Sequence, residues 1–355
     1  MKKTFLALAL GSAFAGSAHA QSNVSVTGSV DGGLRYISND GEDRVTVGSN
    51  GTSYNNRLTF RGTENLGGGL SARFHLEAGF NLGTGTQDNN VGQLFQRTAT
   101  VGLAGKWGAV DVGRQFSVAF KVAAPLSPFG SNYTGITPLA SAVPGSQTLG
   151  TPTATTPAAN AGVGRFNNDI QYTGTFGAWT ARAEYAAGEQ AGSHSDGSAG
   201  ALGLSYASGP VLLGAVYTKH KPNMRTTANP SFQDRDHWLA GAAYKIGEAR
   251  FTAAYVDDKV ATAAAGERHT RWTWGGVQYA LTPATTLIGS YYHTRISGGG
   301  LPDGKRGMFM TAAHYALSKR TNLYLEVDLT KHRGALLSAG KHKTKAASVG
   351  INHLF

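Results

Sequence analysis

The stretch Leu70-Ser71-Ala72-Arg73-Phe74-His75-Leu76-Glu77-Ala78-Gly79-Phe80 alternates apolar and polar side chains with a period of two. Successive side chains of a β-strand point to opposite faces. Folded as a strand, Leu70, Ala72, Phe74, Leu76, Ala78 and Phe80 make an oily face, and Ser71, Arg73, His75 and Glu77 make a wet one. A helix would scatter both sets around its circumference. The stretch therefore reads as a strand with different media on its two sides.

The pattern recurs along the chain. In Val24-Ser25-Val26-Thr27-Gly28 the same alternation begins, and it runs on through Gly32, Leu34 and Tyr36. Leu58, Phe60 and Gly62 alternate with Arg57, Thr59 and Arg61, and Phe251, Ala253 and Tyr255 with Arg250, Thr252 and Ala254. We read sixteen such segments: 24–37, 54–64, 69–81, 94–104, 108–115, 165–174, 178–187, 199–208, 211–219, 236–246, 249–257, 270–281, 285–295, 306–317, 321–330 and 345–355. A tilted strand crosses a bilayer in roughly 9–11 residues, a length most of these segments reach. In segment 270–281 the phase stays open, because Trp272 and Trp274 oppose Val277 and Tyr279.

Connections alternate in length. Gly67-Gly68-Gly69, Gly105 to Gly108, Gly247-Glu248, Thr282-Pro283 and Ser318-Lys319-Arg320 are tight turns. Longer polar stretches, 38–53, 188–198, 220–235, 258–269, 296–305 and 331–344, read as loops between them. Short turns at one end and long loops at the other are the layout of a membrane barrel, and a soluble sandwich has no need of it. Aromatic residues near segment ends (Tyr36, Tyr54, Phe80, Trp107, Trp179, Tyr185, Tyr206, Tyr217, Tyr244, Tyr279, Tyr315) fit interfacial girdles. The expected fold is all-β, a transmembrane antiparallel β-barrel of 16 strands.

Composition agrees with this reading. Hydrophobic residues are 41 % of the 355, which suits a barrel whose lipid-facing residues are only alternate ones. No run of about 18 apolar residues supplies a membrane helix. There is no Cys, so a closed hydrogen-bonded sheet is expected to do what disulfides do in small secreted domains. Lys2 and Lys3, the short apolar run from Thr4 to Phe14, and Ala18-His19-Ala20 form a secretory signal over 1–20, with cleavage expected after Ala20. The barrel is expected over 21–355.

Other functions find little support. The net charge is +11, but the basic residues are dispersed and form no recognition motif, so no nucleic-acid partner is expected. Eleven His are scattered, with no H-E-x-x-H, C-x-x-C or G-x-S-x-G pattern. The glycine runs at 67–69 and 298–300 sit at turns and precede no helix, so they cradle no phosphate. No catalysis, metal or cofactor is expected.

Several blocks resemble the Gram-negative general porins of the β-proteobacterial type. Asn55-Asn56-Arg57-Leu58-Thr59-Phe60-Arg61-Gly62-Thr63-Glu64-Asn65-Leu66-Gly67-Gly68-Gly69-Leu70 is similar to their second and third strands, and Leu76-Glu77-Ala78-Gly79-Phe80 continues it. Val101-Gly102-Leu103, Trp107-Gly108, Gly113-Arg114-Gln115, Arg165-Phe166-Asn167-Asn168-Asp169-Ile170-Gln171-Tyr172 and Tyr315-Ala316-Leu317-Ser318-Lys319-Arg320-Thr321-Asn322-Leu323-Tyr324 extend the likeness. Terminal Phe355, after Val349-Gly350-Ile351-Asn352-His353-Leu354, resembles the family's assembly signal. The resemblance implies a homotrimer of 16-stranded barrels in the outer membrane, each passing small hydrophilic solutes. It also implies that the long third loop, 116–164, folds into the lumen as a constriction, with Pro128-Phe129-Gly130 matching the loop motif.

One departure from the family bears on selectivity. Members often carry acidic residues on this loop, facing a basic wall. Here Asp and Glu are absent from Val112 through Asn168, and Arg114, Lys121 and Arg165 are the only formal charges. Strand phase places Arg35, Arg57, Arg61 and Arg73 in the lumen as one neighbouring patch, together with Glu77. Lys or Arg facing lipid at mid-depth costs roughly 2–4 kcal/mol, which favours that phase. Fixed positive charge in a narrow pore enriches anions. A diffusion channel preferring anions is expected, with Arg35, Arg57, Arg73 and Lys121 as main contributors. Rival readings are a channel selective for an organic acid or phosphate, and a surface receptor or adhesin barrel. Arg97 and Arg114 fall in the apolar phase and fit a rim or a subunit interface. The path of 140–161, rich in Pro, Thr and Ala, stays open between lumen packing and disorder. The basic stretch Lys331-His332-Arg333 to Lys341-His342-Lys343-Thr344-Lys345 reads as an extracellular loop facing lipopolysaccharide phosphates and outer-membrane lipid, or simply solvent.

Overall fold

A computed structural model describes residues 23–47, 52–88, 92–130, 164–222, 231–262, 266–337 and 340–355. The signal expected over 1–20 and the segment 140–161 lie outside these residues.

The described residues form one sheet of strands β1 (Asn23–Asn39), β2 (Glu42–Val47), β3 (Arg57–Gly67), β4 (Leu70–Gly79), β5 (Thr98–Gly105), β6 (Gly108–Phe116), β7 (Arg165–Phe176), β8 (Trp179–Ala186) and β9 (Ala199–Ser208), continued by β10 (Val211–His220), β11 (Arg235–Ile246), β12 (Ala249–Thr262), β13 (Gly266–Ala280), β14 (Thr285–Gly298), β15 (Gly304–Ala316), β16 (Thr321–Gly334) and β17 (Lys343–Leu354). β1 pairs antiparallel with β17, from Ser29 opposite Leu354 to Asn39 opposite Thr344, and this closes the sheet. The first residues of β1 pair with β3 and its last with β2. β2 is therefore a short hairpin on top of β1, and the wall has sixteen strands. Closure leaves no unpaired edge in lipid, where an unsatisfied backbone group is costly.

Each expected segment is a strand, but strand also runs well into several of the expected loops. Residues 38–53 contain β2. β12 runs to Thr262, β14 to Gly298 and β16 to Gly334, so 258–269, 296–305 and 331–344 shrink to short connections. The basic stretch expected as an extracellular loop lies largely on β16 and β17. Above the lipid both faces of a strand are wet. The oily–wet alternation stops there while the backbone ladder continues.

Alternation separates the two faces where lipid begins. Leu202 is 70 % exposed while its neighbour Ala201 is 6 % exposed. Outward aromatics form two belts: Trp107, Trp179, Tyr206, Tyr244, Tyr279 and Tyr315 near the short turns, and Tyr36, Tyr185, Tyr217 and Trp238 near the loops. Tyr54 and Phe80 join neither. Tyr54 lies 6.5 Å from the His314 ring, and Phe80 bridges to Gln87 in the β4–β5 connection.

The apolar core lies inside the barrel. After β6 the chain turns inward as helix α1 (Val118–Ala123), capped by Ser117, whose Oγ accepts from the Phe120 N–H at 3.1 Å. A 3-10 turn, Ala124–Leu126, follows. Val118, Val122, Leu126 and Phe129 pack on Val216, Leu239, Val256, Trp272, Trp274 and Met310 of the inner wall. Trp272 and Trp274 therefore point inward, and Val277 and Tyr279 take the other phase. This part of the inner wall is apolar because the loop covers it. Gly203, Gly214 and Gly241 form the trough that receives it: a Cβ on Gly214 would stand 2.9 Å from Val122 Cγ1, and one on Gly241 2.9 Å from Leu126 Cδ1.

Candidate functional site: the bore and its constriction

Opposite the helix, the inner wall is polar. Arg57, Thr59, Arg61 and Thr63 of β3 face Gly79, Glu77, His75 and Arg73 of β4 in register. Thr98 and Thr100 of β5 and Asp111 of β6 extend the same surface. From the other side α1 presents Lys121, whose Nζ donates to Gln115 Oε1 at 3.0 Å and to Gln171 Oε1. Arg61, Arg73, His75, Asp111, Phe116 and Lys121 line the crevice between wall and helix.

Charges in the crevice are unequally matched. Arg73 makes a two-pronged contact with the Asp111 carboxylate. Glu77 accepts from Thr59 Oγ1 at 3.0 Å and from Arg97 Nε at 2.7 Å, with Arg57 Nε 3.9 Å away. Every Asp and Glu of the chain lies among the described residues, and none of them forms an ion pair with Arg61 or Lys121. The carboxylates behind the helix face it instead of the bore. Glu184 accepts from the Val118 N–H at 2.9 Å and from Gln171 Nε2 at 2.8 Å, and Asp169 is fully buried.

The structure brings Arg57, Arg61, Arg73, Glu77 and Lys121 into one region, as expected. Arg35 does not join them. It lies six residues along β1 from Ser29, the partner of Arg57, which is about 20 Å at roughly 3.4 Å per residue. Its guanidinium pairs with Asp328 at 2.6 Å and donates to Ser348 at 2.8 Å. Pro128 and Phe129 are anchors more than pore lining. The Pro128 carbonyl accepts from Gln278 Nε2 at 2.6 Å, and Phe129 is buried against the wall. Gly130 follows in the left-handed region, φ 62°.

Arg97 and Arg114 sit where β5 and β6 meet the third loop. Arg97 is held by Glu77, with Asp88 at 3.7 Å. Arg114 donates to the Gln96 carbonyl at 2.5 Å and to Asn167 Oδ1. Arg165 donates to the Arg97 carbonyl at 2.9 Å and stacks 3.8 Å above the Phe116 ring. The expectation missed Arg182 and Arg250 as bore residues. Both are on the inner face, donating to Ser205 and to the Pro125 carbonyl, and neither has a carboxylate partner. Their signal was present, since each stands in the polar phase of its strand.

A closed sixteen-stranded barrel with an oily exterior, a polar bore and a loop docked inside it defines a membrane channel. The chain matches the model of the Gram-negative porin family over residues 6–335, and it belongs to that family. It is 29 % identical to an outer membrane porin protein of Bordetella pertussis and 30 % identical to outer membrane porin protein 32 of Delftia acidovorans, in each case over the full length of both chains. Among solved structures, an anion-selective porin from Comamonas acidovorans superposes with a TM-score of 0.78 at 26 % identity, covering 94 % of this chain and all of that one. The protein is thus an outer-membrane porin, a channel for passive diffusion and not an enzyme.

Proposed function

We propose that the channel prefers anions, and that Arg61 and Lys121 set the preference with help from Arg57, Arg73, Arg182 and Arg250. The observation that carries this is the charge balance of the crevice: among its lining residues Arg61, Arg73 and Lys121 stand against Asp111 alone, which Arg73 already neutralises, while Asp169 and Glu184, which also act on Lys121, lie buried behind the helix. In a narrow bore such an excess raises the local anion concentration. The likeness to an anion-selective porin supports the same sign.

Reversal potential in a planar bilayer under a KCl gradient tests the proposal. Chloride preference is expected, and Arg61→Gln with Lys121→Gln should remove most of it. Cation preference in the unmodified channel would overturn the charge argument. The grouping of Arg61, Arg73 and Lys121 around one crevice also favours a second reading, a site for one anionic solute. Block of the chloride current by phosphate or an organic acid at millimolar concentration would establish that site. Absence of current from folded protein would favour a receptor or adhesin instead.

We further infer a homotrimer, an export signal ending at Ala20, and an assembly role for Phe355. The Phe355 backbone pairs with Gly28 at 3.0 and 3.2 Å across the β1–β17 seam, and its ring covers the space where a Cβ of Gly28 would stand. Mass of the detergent-extracted particle tests the trimer, and a mature chain beginning at Gln21 tests the signal. Lower outer-membrane yield on removing Phe355 tests its role.

A further inference from the structure

The barrel wall is irregular at β1, and the irregularity brings a second segment inside. β1 pairs with β3 up to Ser29, opposite Arg57, and with β2 from Leu34, opposite Val47. Between them Val30 to Gly33 have no ladder partner on that side among the described residues. The chain joining β2 to β3 leaves the wall here and enters the barrel. Thr52, Ser53 and Asn56 are almost fully buried.

Asp31 holds this strap. It is fully buried and stands in the lumen phase of β1. Its carboxylate accepts from the Thr52 N–H at 2.7 Å, the Tyr54 N–H at 3.1 Å and the Tyr324 hydroxyl at 2.8 Å, while its own N–H donates to Asn56 Oδ1. Tyr324 stands on β16, two strands away. It reaches Asp31 across Gly33 and Gly350, which lie opposite each other on β1 and β17, and a Cβ on either would collide with its hydroxyl. Next in the same row is His314 of β15, with the Tyr54 ring 6.5 Å away and Glu326 Oε1 3.3 Å from its Nε2. The strap thus lies across the inner wall from β1 to β15.

Asp31 is two residues above Ser29, the partner of Arg57, which is about 7 Å at roughly 3.4 Å per residue. The strap is therefore near the level of the basic crevice. The third loop covers the inner wall from β10 to β15, and the strap covers it from β15 to β1. The face of β3 to β6 stays open, with Arg57, Arg61 and Arg73 partly exposed. The acidic side is closed: Asp31 is 0 % and Glu326 2 % exposed, and among the described residues neither is ion-paired to Lys or Arg. Asp328, next on that side, is neutralised by Arg35 at 2.6 Å. A carboxylate open to a narrow bore attracts cations. We propose that residues 52–56 are a second jaw of the constriction, and that Asp31 and Tyr324 are the positioning residues that hold it. The jaw narrows the bore and keeps Asp31 and Glu326 away from passing ions, so that solutes meet the cations of β3, β4 and α1. Its effect on selectivity rests on the anion preference proposed above, and its effect on bore width does not.

The test removes two donors to Asp31 and leaves every charge in place: Thr52→Pro with Tyr54→Pro, since proline has no N–H. In a planar bilayer under a KCl gradient, single-channel conductance should rise and the reversal potential should move toward the potassium value. The chain has no Cys, so Ser53→Cys serves as a reporter of the strap itself. In proteoliposomes its thiol should resist a charged methanethiosulfonate, and it should react about tenfold faster or more when the two prolines are present. Should the proline pair assemble poorly, Tyr324→Phe removes one donor to Asp31 without changing any charge, and it should move the same three readouts in the same direction by less. A thiol that reacts equally fast with and without the prolines, or a conductance that ignores them, would overturn the proposal. Chloride preference that persists undiminished in a proline variant of raised conductance would overturn the shielding of Asp31 and Glu326. Cation preference in the unmodified channel would overturn the anion reading instead, and the thiol rate and conductance would still decide the jaw.

Discussion

Leu126→Asp is expected to release the third loop from the wall, raising single-channel conductance and weakening ion preference. Leu126 is almost fully buried, and its side chain fills the space beside Gly214 and Gly241. Its carbonyl accepts from Trp274 Nε1 at 2.8 Å, so the main chain is fixed at the same point. A carboxylate there would be placed among the apolar side chains of Val122, Leu239 and Trp274. Losing the leucine contacts alone costs about 2–5 kcal/mol, and desolvating a charge adds to that. Undocking Ser117–Gly130 leaves the strand ladders intact, so the barrel should still form. Bilayer recordings should show larger current steps, together with a reversal potential closer to zero because Lys121 leaves the crevice. Gly203→Leu is the opposing case: its side chain would press on Val118 and Val122, drive α1 toward the bore and reduce the current. Unchanged current in Leu126→Asp would mean that Ser117–Gly130 does not limit the passage.

The difference between what the sequence disclosed and what the fold added has one physical source. Strands were legible wherever oil lies on one face and water on the other, because the solvent writes itself into every second residue. Beyond the lipid that contrast ends, and β2 and the tops of β12, β14 and β16 passed for loops. Inside the barrel it fails differently. Trp272 and Trp274 are apolar on a lumen face because α1 covers them, and no local pattern announces a cover that arrives from about 150 residues away. Height is equally silent. Strand phase put Arg35 on the correct face, but only the register of β1 against β3 and β17 shows that it stands beside Asp328, far from Arg57.

Pairing is the other part of the site that one-dimensional reading does not carry. Arg57, Arg61 and Arg73 look alike in sequence, yet the cross-strand register gives Asp111 to Arg73, Glu77 to Arg57 and no carboxylate to Arg61. The charge available to the bore is therefore smaller than the count of lumen arginines, and in the crevice it is concentrated at Arg61 and Lys121, with Arg182 and Arg250 elsewhere on the inner wall. The missing acid of the third loop was legible in the sequence. The withdrawal of Glu184 and Asp169 beneath α1 was not, because it follows from where the helix docks.

Glu77→Gln follows from this accounting and should move stability and selectivity in opposite senses. Glu77 and Arg97 are both buried and lie 2.7 Å apart, and Asp88, at 3.7 Å, is the only other carboxylate in ion-pair contact with Arg97. Removing one partner of a buried pair costs about 3–5 kcal/mol, and the lower end is expected because Asp88 remains. Thermal unfolding of the detergent-extracted protein should shift to lower temperature. The bore meanwhile loses a negative charge, and Arg57, which is partly exposed to it, loses its counter-charge. Reversal potential should move further toward the chloride value, the reverse of the change expected for Arg61→Gln. The carboxamide oxygen can go on accepting from Arg97 Nε, and its NH2, in place of the second oxygen, can donate to Thr59 Oγ1 once that hydroxyl turns to accept. A shift toward cation preference would show that Glu77 acts through Arg97 and the loop that follows it, and not through the field of the bore.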